Sequence, residues 1–169
     1  MELQENRKSG LDVLRETLGR LAARALAEFV EGKLRSIEAR YRELGNPSLR
    51  GASQDELTIV ACRLVHLYSA FDLLFRRISR DYLRQSRSTR RPVLERMRMD
   101  LGPARPAVID DQAFEKLSAL ARFRHWWFLE AEPPLEEKDL APVLRKALEL
   151  RAVYRPQIEA FVEFLRGVR

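Results

Sequence analysis

Cysteine occurs once in this sequence, at Cys62, and histidine only twice, at His66 and His125. A single thiol excludes an internal disulfide and a cysteine-based zinc site, and it suits a reducing cytoplasm. Seven glycines and eight prolines are too few for a collagenous, low-complexity or turn-rich all-β chain. No uninterrupted apolar run approaches the roughly 18 residues of a membrane span. Met1 to Glu5 has no apolar core of a signal peptide. Gly-rich phosphate loops, paired metal-ligand motifs and nucleophile elbows are missing as well. With 46% hydrophobic and 33% charged residues, the 169-residue chain has enough apolar material for one core. The expectation is a single-domain cytoplasmic protein over 1–169, with no membrane segment, metal or cofactor.

What is present in excess is arginine. There are 31 basic against 25 acidic residues, a net charge of +6. The stretch from Arg76 to Arg98 holds nine arginines against Asp81 and Glu95, so it carries +7 and everything else sums to −1. Arg84, Arg87, Arg90 and Arg91 belong to it and are the candidates for RNA contact. Such a patch is an electrostatic footprint for a polyanion, RNA above all. The alternative is a solvated helix face in a chain that prefers arginine to lysine.

The apolar periodicity is helical. Leu11, Leu14, Leu18, Leu21 and Ala25 step by three and four, and Val30, Leu34, Ile37, Tyr41 and Leu44 continue after one offset. Gly45-Asn46-Pro47 terminates this helix. A helix over 11–44 would be about 50 Å long at 1.5 Å per residue, so it needs a partner beside it. Ser53 with Glu56 is a capping box opening the next helix. Its seam, Leu57, Val60, Leu64, Leu67, Phe71, Leu74, Ile78 and Tyr82, suits near-antiparallel packing. Gln85 to Arg91 reads as a loop, and Pro92 starts a short helix ending near Leu101. Gly102 to Pro106 is a break. Asp110 or Asp111 caps a fourth helix to about Phe128, and Pro133-Pro134 end the connection after it. A fifth helix runs from about Glu136 to Leu165, kinked or divided by Pro156. The architecture predicted is an all-α antiparallel bundle of about five helices.

Three places bear on chemistry. Cys62 and His66, at i and i+4, can meet on one helix face, but two ligands do not make a structural zinc site. Asp72 lies between Phe71 and Leu73-Leu74-Phe75; if buried it needs a partner, with an arginine from another helix the first candidate, and if not it faces solvent. Ala121 to Leu129 sets Arg122, Arg124 and His125 beside both tryptophans, Trp126 and Trp127. Arg124 falls in the apolar stripe of Leu117, Leu120 and Trp127, so it is either paired, with Asp72 the candidate, or meets solvent at a cleft or interface. An arginine and a histidine side by side can bind a phosphate and move a proton; otherwise His125 is polar surface.

These segments resemble the HepT-like HEPN family. Leu67-Tyr68-Ser69-Ala70-Phe71-Asp72 is similar to its second-helix motif. Leu94-Glu95-Arg96-Met97, Arg105-Pro106-Ala107-Val108-Ile109 and Leu120-Ala121-Arg122-Phe123-Arg124-His125 follow in the family's order. Leu140 to Leu165 looks like its closing helix. The similarity spans about 55–165 and leaves the long first helix outside. It implies a helical bundle that dimerises with its two clefts near the dimer axis. Many members are metal-independent ribonucleases, toxins beside a minimal nucleotidyltransferase antitoxin. The family motif is an arginine, four to six residues, a histidine, and often a tyrosine two residues later to which AMP is attached.

Arg124 matches the motif arginine. Leu129 stands at the histidine position and Ala131 at the tyrosine position, and Thr89-Arg90 replaces the Trp-His pair before the third helix. His125 matches the polar position directly after the arginine. The resemblance implies that Arg124 holds the scissile phosphate, that His125 or Arg122 assists, and that Asp72 orients Arg124. The expected protein is a homodimer of a toxin–antitoxin or defence system acting on RNA. Two further readings stand beside it: a catalytically silent module binding RNA or a partner protein through the Arg76–Arg98 patch and the dimer face, and a helical partner of a nucleotidyltransferase.

Overall fold

The computed structural model describes residues 2–82, 92–102, 105–132 and 134–167, apart from the side chains of 2–12, 14, 15 and 82. They form six helices: α1 Glu2–Leu44, α2 Gln54–Tyr82, α3 Val93–Met97, α4 Asp111–Leu129, α5 Glu137–Arg151 and α6 Tyr154–Gly167, with no strand among the described residues. The described residues form an all-α bundle.

α1 ends where Gly45 takes φ +62° and its N–H bonds the Tyr41 carbonyl at 3.0 Å. This left-handed cap favours glycine because it has no Cβ to clash. α2 opens on the expected capping box. The Glu56 carboxylate accepts from the Ser53 N–H at 2.8 Å, and the Ser53 hydroxyl accepts from the Glu56 N–H at 3.3 Å. α4 is capped by Asp110, whose carboxylate accepts from the Ala113 N–H at 2.8 Å.

α2 is the centre of the bundle, packed on α1, α3, α4 and α5. Leu57, Val60, Leu64, Leu67, Phe71, Leu74 and Ile78 are all buried, as their spacing requires. The stretch Gln54–Asp81 is long and apolar enough by composition to cross a membrane. The absence of an uninterrupted apolar run still holds, because Arg63 and Asp72 break the stretch without lowering its average much. More than half of that window is buried within the protein, which is the signature of a core helix.

α1 departs from its expected stripe. It starts at Glu2 rather than near Leu11 and has 43 residues, about 64 Å, against about 43 Å for α2. Its core face is Ala23, Leu26, Ala27, Val30, Leu34, Ile37, Tyr41 and Leu44. Leu18 and Leu21 are 63% and 56% exposed. The five-residue step from Ala25 to Val30 rotates the stripe by about 140°, so its two halves lie on different sides of one rod. Only the second half faces the bundle. The side chains of Leu11 and Leu14 lie outside the described residues.

The C-terminal helix expected over 136–165 is two helices. The break falls at Ala152-Val153, ahead of Pro156, which sits in the first turn of α6 where its missing N–H costs little. The division has a packing cause: α5 lies on α4 and α2, whereas α6 lies on α1. Tyr154, the first residue of α6, donates its hydroxyl to Glu38 of α1. Its ring stacks on Tyr41 at 5.5 Å and meets the Phe71 edge at 5.1 Å. Tyr41 in turn donates to the Ala147 carbonyl of α5 at 3.0 Å. α3 is also shorter than expected, stopping at Met97. Beyond it, Arg105 is buried and donates to the carbonyls of Arg96 and Met99 at 2.7 and 2.9 Å, pinning the connection to α4.

Candidate functional site

α4 runs antiparallel to α2. Arg124 meets Asp72 in mid-helix, while Leu135, just beyond α4, exchanges two hydrogen bonds with Gln54 at the start of α2. Tyr68 and Asp72 are one turn apart on the α2 edge that faces α4, as an i, i+4 pair must be.

The Arg124 guanidinium donates from Nη1 to Asp72 Oδ2 at 3.3 Å and lies over the Tyr68 ring, 4.8 Å from its centroid. Arg76, one turn on from Asp72, donates its Nε–H to the same carboxylate oxygen at 2.9 Å. The Arg124 side chain is 30% exposed and that of Asp72 15%. The carboxylate is therefore sheltered, and the guanidinium is anchored on one side and open on the other. The remaining N–H groups of its fork have no partner among the described residues, so they are available to an oxyanion. Asp72 is neither solvent-facing nor fully buried. The tyrosine feels the same field: burial first, and then the Asp72 carboxylate, push the Tyr68 phenol above its ordinary pKa, with Arg124 and Arg76 pulling the other way. Asp72 also raises the Arg76 guanidinium, chiefly through their hydrogen bond.

The pair is worth a modest amount. Asp72→Asn and Arg124→Ala should each cost about 1 kcal/mol, and a double-mutant cycle in urea should return a coupling of about 0.5–1 kcal/mol. Arg76 remains on Asp72 in the absence of Arg124, which keeps the cost below the 3–5 kcal/mol of a broken buried pair. Additive losses would show that the two side chains do not interact.

The other sequence candidates are placed differently. His125 and Arg122 are exposed on the outer side of α4, and no hydrogen bond or ion pair joins either to Arg124 or Asp72 among the described residues. Adjacent helix residues diverge by about 100°, which separates His125 from Arg124. Leu129 is 70% exposed and Phe128 68%. Cys62 is half-buried and His66 exposed. Arg84, Arg87, Arg90 and Arg91, with Thr89, lie outside the described residues. Most described members of the basic stretch are already engaged, the exception being Arg96, whose Nε is buried without a partner among the described residues. Arg77 and Arg80 meet Asp81 at 2.5 and 3.3 Å, Arg98 meets Asp111 at 3.0 Å, and Arg77 and Arg98 cover the rings of Phe29 and Phe114.

Two members of the cluster had no site role in the sequence reading. Arg76 was legible, since i, i+4 from an acid on a helix is an ion-pair spacing. Tyr68 belonged to the quoted motif, but its ring's position beneath Arg124 is a tertiary fact with no local signal.

The family model described as HepT-like protein matches residues 59–165, and the chain belongs to that family. The match takes in Tyr68, Asp72 and Arg124 and leaves out α1. No curated protein and no solved structure matches the chain.

Proposed function

We propose that this HepT-like protein binds RNA in the cytoplasm as part of a bacterial toxin–antitoxin or defence system, with Arg124 gripping a backbone phosphate. The observation that carries the reading is the half-anchored Arg124, fixed by Asp72 and Tyr68 with the rest of its fork open. Asp72 positions it, and Arg76 holds the carboxylate in place. Arg84, Arg87, Arg90 and Arg91 supply the non-specific attraction that a phosphate chain feels at a distance.

The principal role is recognition. Leu129 stands where the family's histidine would stand, and His125 makes no contact with the Arg124 cluster among the described residues. If cleavage occurs, His125 or Arg122 is the group that would assist Arg124. The protein acts as a homodimer, supported by the exposed apolar residues Ile59 and Leu73 on α2 and Phe128 and Leu129 at the end of α4. A minimal nucleotidyltransferase is the fitting antitoxin partner.

The test is end-labelled RNA incubated with the protein in EDTA, with Arg124→Ala and His125→Ala beside it. The expected result is intact RNA retained by the wild type and by His125→Ala, and released by Arg124→Ala. Cleavage lost in both variants would instead make His125 the displaced imidazole of an active ribonuclease.

A further inference from the structure

Tyr68 has an unusual combination of features. It is 93% buried, since only 7% of its surface is exposed, yet its hydroxyl has no hydrogen-bond partner among the described residues. It is also not among the polar atoms sealed from solvent without a partner, so the oxygen opens outward. A buried tyrosine ordinarily satisfies its O–H within the protein, as Tyr41 and Tyr154 do here. The packing that confines the Tyr68 ring therefore delivers a donor to one point on the surface, and that point lies at the rim of the ring on which the Arg124 guanidinium rests.

We propose that the Tyr68 hydroxyl is a further anchor of this site, donating a hydrogen bond to one oxygen of the RNA phosphate whose other oxygen Arg124 holds. The inference rests on the phosphate-binding reading above and names a residue that reading does not require. Three observations converge on it: the ring contact at 4.8 Å, the unpartnered hydroxyl, and the Asp72 contact that fixes the guanidinium beside it. Hydrogen bonds of about 2.7–2.9 Å from each group let one phosphate bridge them. The protonation state suits the role. Asp72 and burial raise the phenol's pKa, while Arg124 and Arg76, the two cations facing it, only offset this in part. The hydroxyl is therefore held in its neutral form, as a donor. A second donor also explains a tyrosine under the arginine where phenylalanine would pack as well.

Tyr68→Phe isolates the idea, because it keeps the ring and the cation contact and deletes only the oxygen. The probe is a 5′-labelled single-stranded RNA oligonucleotide of mixed sequence, bound by the full chain at several salt concentrations. The expected result is an affinity about tenfold weaker for Tyr68→Phe. Its melting temperature should be unchanged, and so should its salt slope, because a neutral donor releases no counterion. Arg124→Ala, by contrast, should lose affinity and also flatten the slope. Tyr68→Phe binding like the wild type while Arg124→Ala binds weakly would overturn the proposal and leave the reading of Arg124 standing. A wild type that binds no RNA would overturn that reading and the proposal with it.

Discussion

Phe71→Ala should destabilise the protein by about 3–5 kcal/mol and lower its melting temperature by on the order of 10 °C. Phe71 is fully buried on α2, stacks on Phe75 at 6.0 Å and meets the edge of Tyr154 at 5.1 Å. Through Tyr154 it joins the central helix to α6, whose Tyr154 ring also stacks on Tyr41 of α1. Truncation would leave a cavity that three helices border, and rigid helices cannot all close on it. Leu18→Ala is the control, since that side chain is 63% exposed and should change stability by less than about 0.5 kcal/mol. Circular dichroism melts of both variants decide the matter. A loss below about 1 kcal/mol at Phe71 would mean that α2 does not form the core.

Arg124→Ala should weaken RNA binding by about 10–100-fold, the range of a hydrogen bond to a charged group. The salt slope should fall by about one unit, as for removal of one phosphate contact. Folding is expected to survive, because Asp72 keeps Arg76 as a partner at 2.9 Å. Arg124→Lys should not restore the affinity. A point charge lacks the planar fork that rests on Tyr68 and reaches Asp72 and a phosphate together. Equal losses for arginines anywhere on the surface would show that the attraction is diffuse and that Arg124 holds no special place.

Much of this was readable from local patterns. The capping box at Ser53, the stop at Gly45 and the seam of α2 follow from short-range geometry, and the backbone adopts each of them. The contact of Asp72 with Arg124 crosses 52 positions of sequence, yet it was foreseeable because an acid set among apolar residues needs a cation. What failed was tertiary. Leu18 and Leu21 have helical spacing, but spacing alone does not say which side of a helix the bundle occupies. The division between α5 and α6 is set by the need of one segment to meet α4 and the next to meet α1. Pro156, the obvious breaker, is tolerated where it stands because it occupies a first turn. Arg105 carried no sign of burial, since its partners are backbone carbonyls, to which sequence is blind.

Tryptophan emission gives the most direct test of the Arg124 site. The protein has only two tryptophans, and both sit in the last turns of α4, half-buried and packed on Phe123 at 5.6 and 6.4 Å. Single-stranded RNA bound at Arg124 arrives one turn from Trp127. Titration should change the emission saturably in the wild type, and the change should vanish in Arg124→Ala, which keeps both indoles. RNA binding that proceeds with emission unmoved, and equally well without Arg124, would contradict the account.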